Sequence, residues 1–420
     1  MLRKKLVKLP ITVYAIFNLF AIITVNRLSD LPVWVGNWES KAILLSSFQN
    51  PQSNFYPPGG AILLAPFLWL KPNYEIAVFF YFTLASILFF CICSKIITNK
   101  FLLLLALSAL TLNPYLLWLV NSSQDTVFEL FLLMCGFSLI LAQRFFLFLL
   151  PLYLLCLTRP AYWPGFLVLP FIIYYFDIKN KGNFRISRKL ILAPLCFLTF
   201  TFGINQAAFG SPALAGEAGM TAHFGHNKYW YLAMPKFDSD VFLSTGGNMN
   251  TELITAGSKR FLQIENQEFR AALIYITENP KSVFLNTLQK LDTYFFAVQK
   301  NPQLSGEYYL AGDQKSIIIG ENRDSWILIF GSFIYFMYRS LLLILLIASI
   351  TILIVLPKIR KNLMHRPQLL MFVPYLFGSI SAVLFFTETR YKIVSELILV
   401  PLVLSIIDSY NLSKIQKIET

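Results

Sequence analysis

The chain is 420 residues long, enough for two soluble domains, but 56% of its residues are apolar, only 14% are charged and its mean hydropathy is +0.60, which excludes a water-facing surface over much of it. A formal charge of +13 would suit nucleic acid, yet Lys and Arg fall in short clusters between apolar runs rather than along one face, so the charge speaks for membrane topology and against that partner. All five cysteines (Cys91, Cys93, Cys135, Cys156 and Cys196) lie inside apolar segments, which leaves no disulfide framework and no Cys-x-x-Cys metal site.

In chain order, residues 1–8 are basic and precede an apolar run with no small-residue cleavage site after Val25, the pattern of an uncleaved signal anchor. A helix needs about 20 apolar residues to cross the hydrocarbon, which places spans at roughly 8–26, 74–97, 101–120, 126–143, 145–158, 161–177, 190–208, 327–356, 367–387 and 393–409. The fold class expected is therefore all-α and polytopic, with about ten transmembrane helices. An even number of spans puts both termini on one side. With the N-terminus in the cytoplasm, that side receives Arg3, Lys4, Lys5 and Lys8, then Lys95, Lys100 and Arg144, then the cluster from Lys179 to Lys189, then Lys358, Arg360, Lys361 and Arg366, and finally Lys414 and Lys417. The short outer loops keep only Arg159, Arg390 and Lys392, as the positive-inside rule requires.

Two longer stretches fall outside. The first, 27–73, ends in Tyr56-Pro57-Pro58-Gly59-Gly60 and a ten-residue apolar run at 61–70, too short to span and expected to be interfacial or re-entrant. The second, 208–325, opens with Gly-, Asn- and Ser-rich sequence. Two amphipathic helical patterns follow, near 259–277 and 282–298, broken at Asn279-Pro280 and expected to lie on the outer membrane face. The organisation is then an N-terminal transmembrane module (1–207), a large extracytoplasmic loop region (208–325) and C-terminal transmembrane helices (326–420).

Ionisable groups at or inside a bilayer are costly, so each invites a functional hypothesis. Asp30, Glu39, Asp125, Arg159, Glu388, Arg390 and Lys392 all fall at the outer ends of different spans, and Glu129 sits one turn inside from Asp125 on the same helix face. Each has a plainer reading: solvated loop charges for Asp30 and Glu39, a helix cap for Asp125 beside Thr126, snorkelling for Arg159, mutual pairing for Glu388 and Lys392, and an interfacial belt for Tyr391. His223 and His226 read as loop surface rather than as a metal pair, because Gly225 intervenes and no third ligand is near. Arg339 reads either as a snorkelling residue or as the mark of the outer edge of the eighth span.

Three blocks carry a resemblance: Tyr56-Pro57-Pro58-Gly59-Gly60-Ala61-Ile62-Leu63-Leu64-Ala65-Pro66, then Leu157-Thr158-Arg159-Pro160, then Thr387-Glu388-Thr389-Arg390-Tyr391-Lys392. With the long acid-bearing first loop, they resemble the GT-C superfamily of integral membrane glycosyltransferases, in its protein-mannosyltransferase-like, polyprenyl-phosphate-sugar-dependent form. The resemblance implies transfer of a sugar from a polyprenyl-phosphate donor to an acceptor hydroxyl on the extracytoplasmic face, with inversion. It implies Asp30, with Glu39 second, as catalytic base, and Tyr56, Asp125, Arg159, Glu388, Arg390, Tyr391 and Lys392 as substrate-binding residues. Asp125 is also the position that would hold a divalent cation (Mg or Mn). The partners it implies are the lipid-linked donor, a glycan, lipid or protein acceptor, and the bilayer, with a bacterial plasma membrane as the location. Two other readings stay open: a polymerase or ligase for lipid-linked oligosaccharides, and a transporter or flippase of lipid-linked sugars. No internal repeat favours the last.

Overall fold

The computed structural model describes residues 8–28, 38–47, 58–69, 74–122, 126–179, 189–209, 218–227, 259–296, 307–309, 316–318, 326–357, 367–384 and 392–419. Nearly all of them are helical. In order the helices are α1 Lys8–Leu28, α2 Trp38–Ser46, α3 Gly59–Leu68, α4 Tyr74–Ile96, α5 Lys100–Thr111, α6 Pro114–Ser122, α7 Thr126–Leu141, α8 Leu149–Thr158 and α9 Trp163–Lys179. They continue with α10 Lys189–Phe209, α11 Ala218–Gly225, α12 Lys259–Glu278, α13 Pro280–Phe296, α14 Trp326–Val355, α15 Val373–Leu384 and α16 Ile393–Glu419. Among the described residues, the one departure from helix is a small hairpin, β1 Glu307–Tyr309 against β2 Ser316–Ile318, antiparallel with Tyr308 opposite Ile317.

Among the described residues, five helices are long and apolar enough to cross a membrane: Pro10–Leu28, Glu75–Ile96, Leu190–Ala207, Phe333–Val355 and Ile393–Asn411. Each coincides with one of the ten apolar stretches. The others are shorter or interrupted, for local reasons. The stretch expected at 101–120 divides into α5 and α6 because Pro114 opens a new helix and Asn113 caps it, its Oδ1 accepting the Leu116 N–H at 3.0 Å. The stretch at 367–387 starts as a 3₁₀ turn, Pro367–Phe372, before α15. The stretch at 161–177 is entered through a second 3₁₀ turn, Pro160–Tyr162. The Asn279-Pro280 break falls where the sequence places it, between α12 and α13.

Helix α16 is the axis of the bundle. Within its span 83% of the window is buried, against 17% for α14 and 22% for both α1 and α10, so these three present apolar flanks outward. Around α16 pack α4, α5, α7, α14, α15 and the 3₁₀ turn before α15. The core of the bundle is apolar, with Phe82, Phe89, Trp118, Phe128 and Phe166 among its fully buried side chains. Lipid tails are as apolar as Leu, so packing and buried polar contacts rather than water exclusion must hold such helices together.

Two groups of those polar contacts lie toward opposite ends of α16. At one end Asp408 of α16 accepts from the Thr98 N–H and hydroxyl, both at 2.7 Å, and so ties α16 to the α4–α5 turn. There Lys95 donates to the Leu141 carbonyl at the end of α7, and Asn99 caps α5 through the Phe101 and Leu102 N–H groups at 2.9 and 3.2 Å. The other group surrounds Glu396, about 18 Å along α16 from Asp408 at about 1.5 Å per residue. At that end α3, α7 and α16 begin and α8 finishes.

Candidate functional site

Glu129 lies in the first turn of α7, where a carboxylate complements the helix dipole. Arg159 closes α8: its N–H still donates to the Leu155 carbonyl at 2.7 Å, but its backbone is extended (φ −135°, ψ 103°), which turns the chain into Pro160. The Arg159 guanidinium reaches the Glu129 carboxylate at 2.6 Å, and both side chains are buried. The Tyr162 hydroxyl donates to the other Glu129 oxygen and stands 3.4 Å from the Ser395 hydroxyl of α16.

Next to Ser395, Glu396 makes a second buried pair. Arg339 of α14 donates Nε to Glu396 at 2.7 Å, and the Tyr335 hydroxyl donates to the remaining oxygen. Lys392 is buried beside this pair, and its carbonyl accepts the Glu396 N–H at 2.8 Å to start α16. Arg339 therefore does not snorkel: a carboxylate on the central helix holds it inside the bundle.

The start of α3 closes the cluster. A Cβ at Gly59 would lie 2.5 Å from the Thr158 nitrogen and 2.6 Å from the Leu157 carbonyl carbon, so the two backbones touch in a way only glycine permits. Gly59 belongs to the Tyr-Pro-Pro-Gly-Gly block, Thr158 and Arg159 to the second block, and Lys392 to the third. The first two blocks therefore touch, and the Tyr162–Ser395 contact connects the second to the start of α16, where Lys392 lies.

Of the site residues expected from sequence, Arg159 and Lys392 belong to this cluster. Glu39 lies on α2, with only its backbone described. Asp30, Tyr56, Asp125, Glu388, Arg390 and Tyr391 lie outside the described residues. The divalent cation implied by the resemblance rests on Asp125. Among the described residues, no group of three or more His, Cys, Asp or Glu is arranged to hold a metal ion. Sequence reasoning placed Glu129 but not its partner, and missed Tyr162, Ser395, Glu396 and the inward role of Arg339. The available signal was a lone acid or base inside an apolar run, as in Ile393-Val394-Ser395-Glu396-Leu397.

Glu129 and Glu396 each hold a guanidinium through one carboxylate oxygen and accept from a tyrosine hydroxyl through the other. They orient cations. A guanidinium has five N–H donors in a planar fork, and one fixed by a carboxylate still has others to offer an anion. Comparison with protein-family models, curated proteins and solved structures finds no match.

A second polar cluster lies between α11, α12 and α13. His223 and His226, expected on the loop surface, are both buried. His223 Nδ1 bonds Glu268, Lys290 Nζ donates to the Gly225 carbonyl at 2.6 Å, and Asn227 donates to the His223 carbonyl at 2.6 Å. Burial lowers the Lys290 pKa to about 7.

Proposed function

We propose that the chain is an integral membrane glycosyltransferase that moves a sugar from a polyprenyl-phosphate donor to an acceptor hydroxyl on the extracytoplasmic face. This reading takes the ten spans, the cytoplasmic termini, the large outer loop and the bacterial plasma membrane with it. The observation that carries it is that Gly59 of the first block packs on Thr158 of the second, whose Arg159 pairs with Glu129, and that the Tyr162–Ser395 contact links this pair to the start of α16, where Lys392 of the third block lies beside the Glu396 ion pair. Nucleotide sugars stay in the cytoplasm, so a transferase working outside takes a lipid-carried donor. Such a donor puts its phosphate at the headgroup boundary and its prenyl chain in the hydrocarbon, which is where helix ends lie.

In the reaction the acceptor oxygen attacks the anomeric carbon while a carboxylate, Asp30 with Glu39 second, takes the hydroxyl proton. The bond from the anomeric carbon to the phosphate oxygen breaks on the opposite face, so configuration inverts and polyprenyl phosphate leaves with the electron pair. Arg159, Arg390 and Lys392 stabilise the charge that collects on the departing phosphate. Glu129 holds Arg159 in place for that task, and Tyr56, Glu388 and Tyr391 line the substrate.

Purified protein in lipid nanodiscs, given a series of polyprenyl-phosphate sugars, should release lipid phosphate. Asp30→Asn should abolish release and Arg390→Ala should slow it strongly. Undiminished turnover in Asp30→Asn removes the base assignment. Growth of a lipid-linked chain would favour the polymerase reading, and vectorial movement of lipid-linked sugar without bond cleavage would favour the transporter.

A further inference from the structure

Helices α12 and α13 are built inside out for a hairpin in water. On α12 the buried pole carries Glu268 and Ala272, while Phe269, Leu273 and Ile274 are exposed. On α13 the buried pole is Lys290, which is 0% exposed, while Phe284 is 62% exposed and Leu285 and Leu288 are exposed beside it. At about 3.6 residues per turn, Leu288 and Lys290 point to nearly opposite sides of the helix. A water-facing amphipathic helix shows the reverse arrangement, with apolar side chains inward and charges outward.

The inward charges are accounted for: Glu268 bonds His223, and Lys290 donates to the Gly225 carbonyl. The outward apolar stripe has a neighbour that identifies its surroundings. Helix α13 packs on α15, whose Leu376 and Ile380 are exposed on an apolar helix next to the central span. Cations accompany the stripe: Lys281 is exposed at the start of α13, and Arg270 is exposed on α12 in the sector between Leu273 and Ile274. Long cationic side chains of this kind lay their stems on apolar surface and lift the charge to lipid phosphates.

We infer that the α12–α13 hairpin is a membrane-embedded element whose Phe269, Leu273, Phe284, Leu285 and Leu288 face lipid acyl chains, with Lys281 and Arg270 at the headgroup phosphates. The inference does not depend on the transfer reaction. Its occupant is the bilayer, and the hairpin and the membrane helices then share one lipid-facing surface.

The test places the photoreactive residue p-benzoylphenylalanine singly at Phe284, Leu288 or Leu273 of the full-length protein, reconstituted in phosphatidylcholine–phosphatidylglycerol nanodiscs. Ile347, exposed on the span of α14, serves as the lipid-facing reference, and Asn286, half-buried on the side of α13 opposite the stripe, as the contrast. Intact-mass analysis after illumination should show lipid adducts at the three stripe positions comparable to those at Ile347 and severalfold above those at Asn286. The inference is overturned by adducts to a second copy, by adducts within the chain, or by no adduct at the stripe where Ile347 gives one.

Discussion

Replacing Glu129 with Met should be among the most damaging single changes in the chain. The structure allows the cost to be worked out. Both side chains of the Glu129–Arg159 pair are buried, 0% and 7% exposed, with a 2.6 Å contact. Removing one partner leaves a charge in a medium that cannot solvate it, a loss of about 3–5 kcal/mol. The Tyr162 hydroxyl also loses its acceptor, at about 1–3 kcal/mol if no other group takes it up. Arg159→Met should cost a similar amount, because it strands the carboxylate instead. The double variant Glu129→Met with Arg159→Met removes both charges and replaces them with apolar volume. It should be milder than the sum of the two by a coupling energy of at least about 2–3 kcal/mol. Reversible unfolding in mixed micelles, read by tryptophan fluorescence, measures all three variants in one cycle. If the two single losses simply add in the double variant, the side chains do not act as a pair and the site has been built on a false contact.

Gly59→Ala should force α3 away from the end of α8, since the new methyl meets backbone atoms at 2.5 and 2.6 Å that no rotamer change can move. A loss of about 1–3 kcal/mol in the same unfolding assay is expected, and a neutral result would mean that the two backbones do not touch. Lys290 gives a pH dependence. Its pKa of about 7 in the folded chain lies below the unfolded value of about 10.4. Below about pH 7 both states hold the proton, and the cost of burying the ammonium is fully present. Between about pH 7 and pH 10 the folded chain has shed a proton that the unfolded chain keeps, so stability rises with pH across that window. Hydrogen exchange of α11–α13 should slow accordingly beyond the intrinsic rate correction, and Lys290→Met should flatten the trend. The same slope in Lys290→Met would assign it to another group.

The reach of the sequence differs from element to element. Apolar run length alone located α1, α4, α10, α14 and α16, because a bilayer demands about 20 apolar residues from any helix that crosses it, whatever its neighbours. Asn279-Pro280 marked the hairpin break because proline cannot donate the hydrogen bond that would continue the helix. The same signal at Asn113-Pro114 was overridden by the apolar run around it, and one expected helix proved to be two. The three motif blocks were also visible in the sequence, since they are sets of adjacent residues.

What the linear chain did not contain was partnership. Arg339 and Glu396 are 57 positions apart, and nothing local tells either that the other is near. A lone charge in an apolar run announces only a cost, and tertiary packing decides whether lipid headgroups, water or an opposite charge on another helix meets it. The same holds for His223 and Lys290, where the order of residues around each helix does not reveal which face turns toward the protein. Local chemistry sets where helices start and stop; the choice of which faces meet belongs to the assembled bundle, because a buried charge is stable only where a second segment brings its counterpart within hydrogen-bond reach.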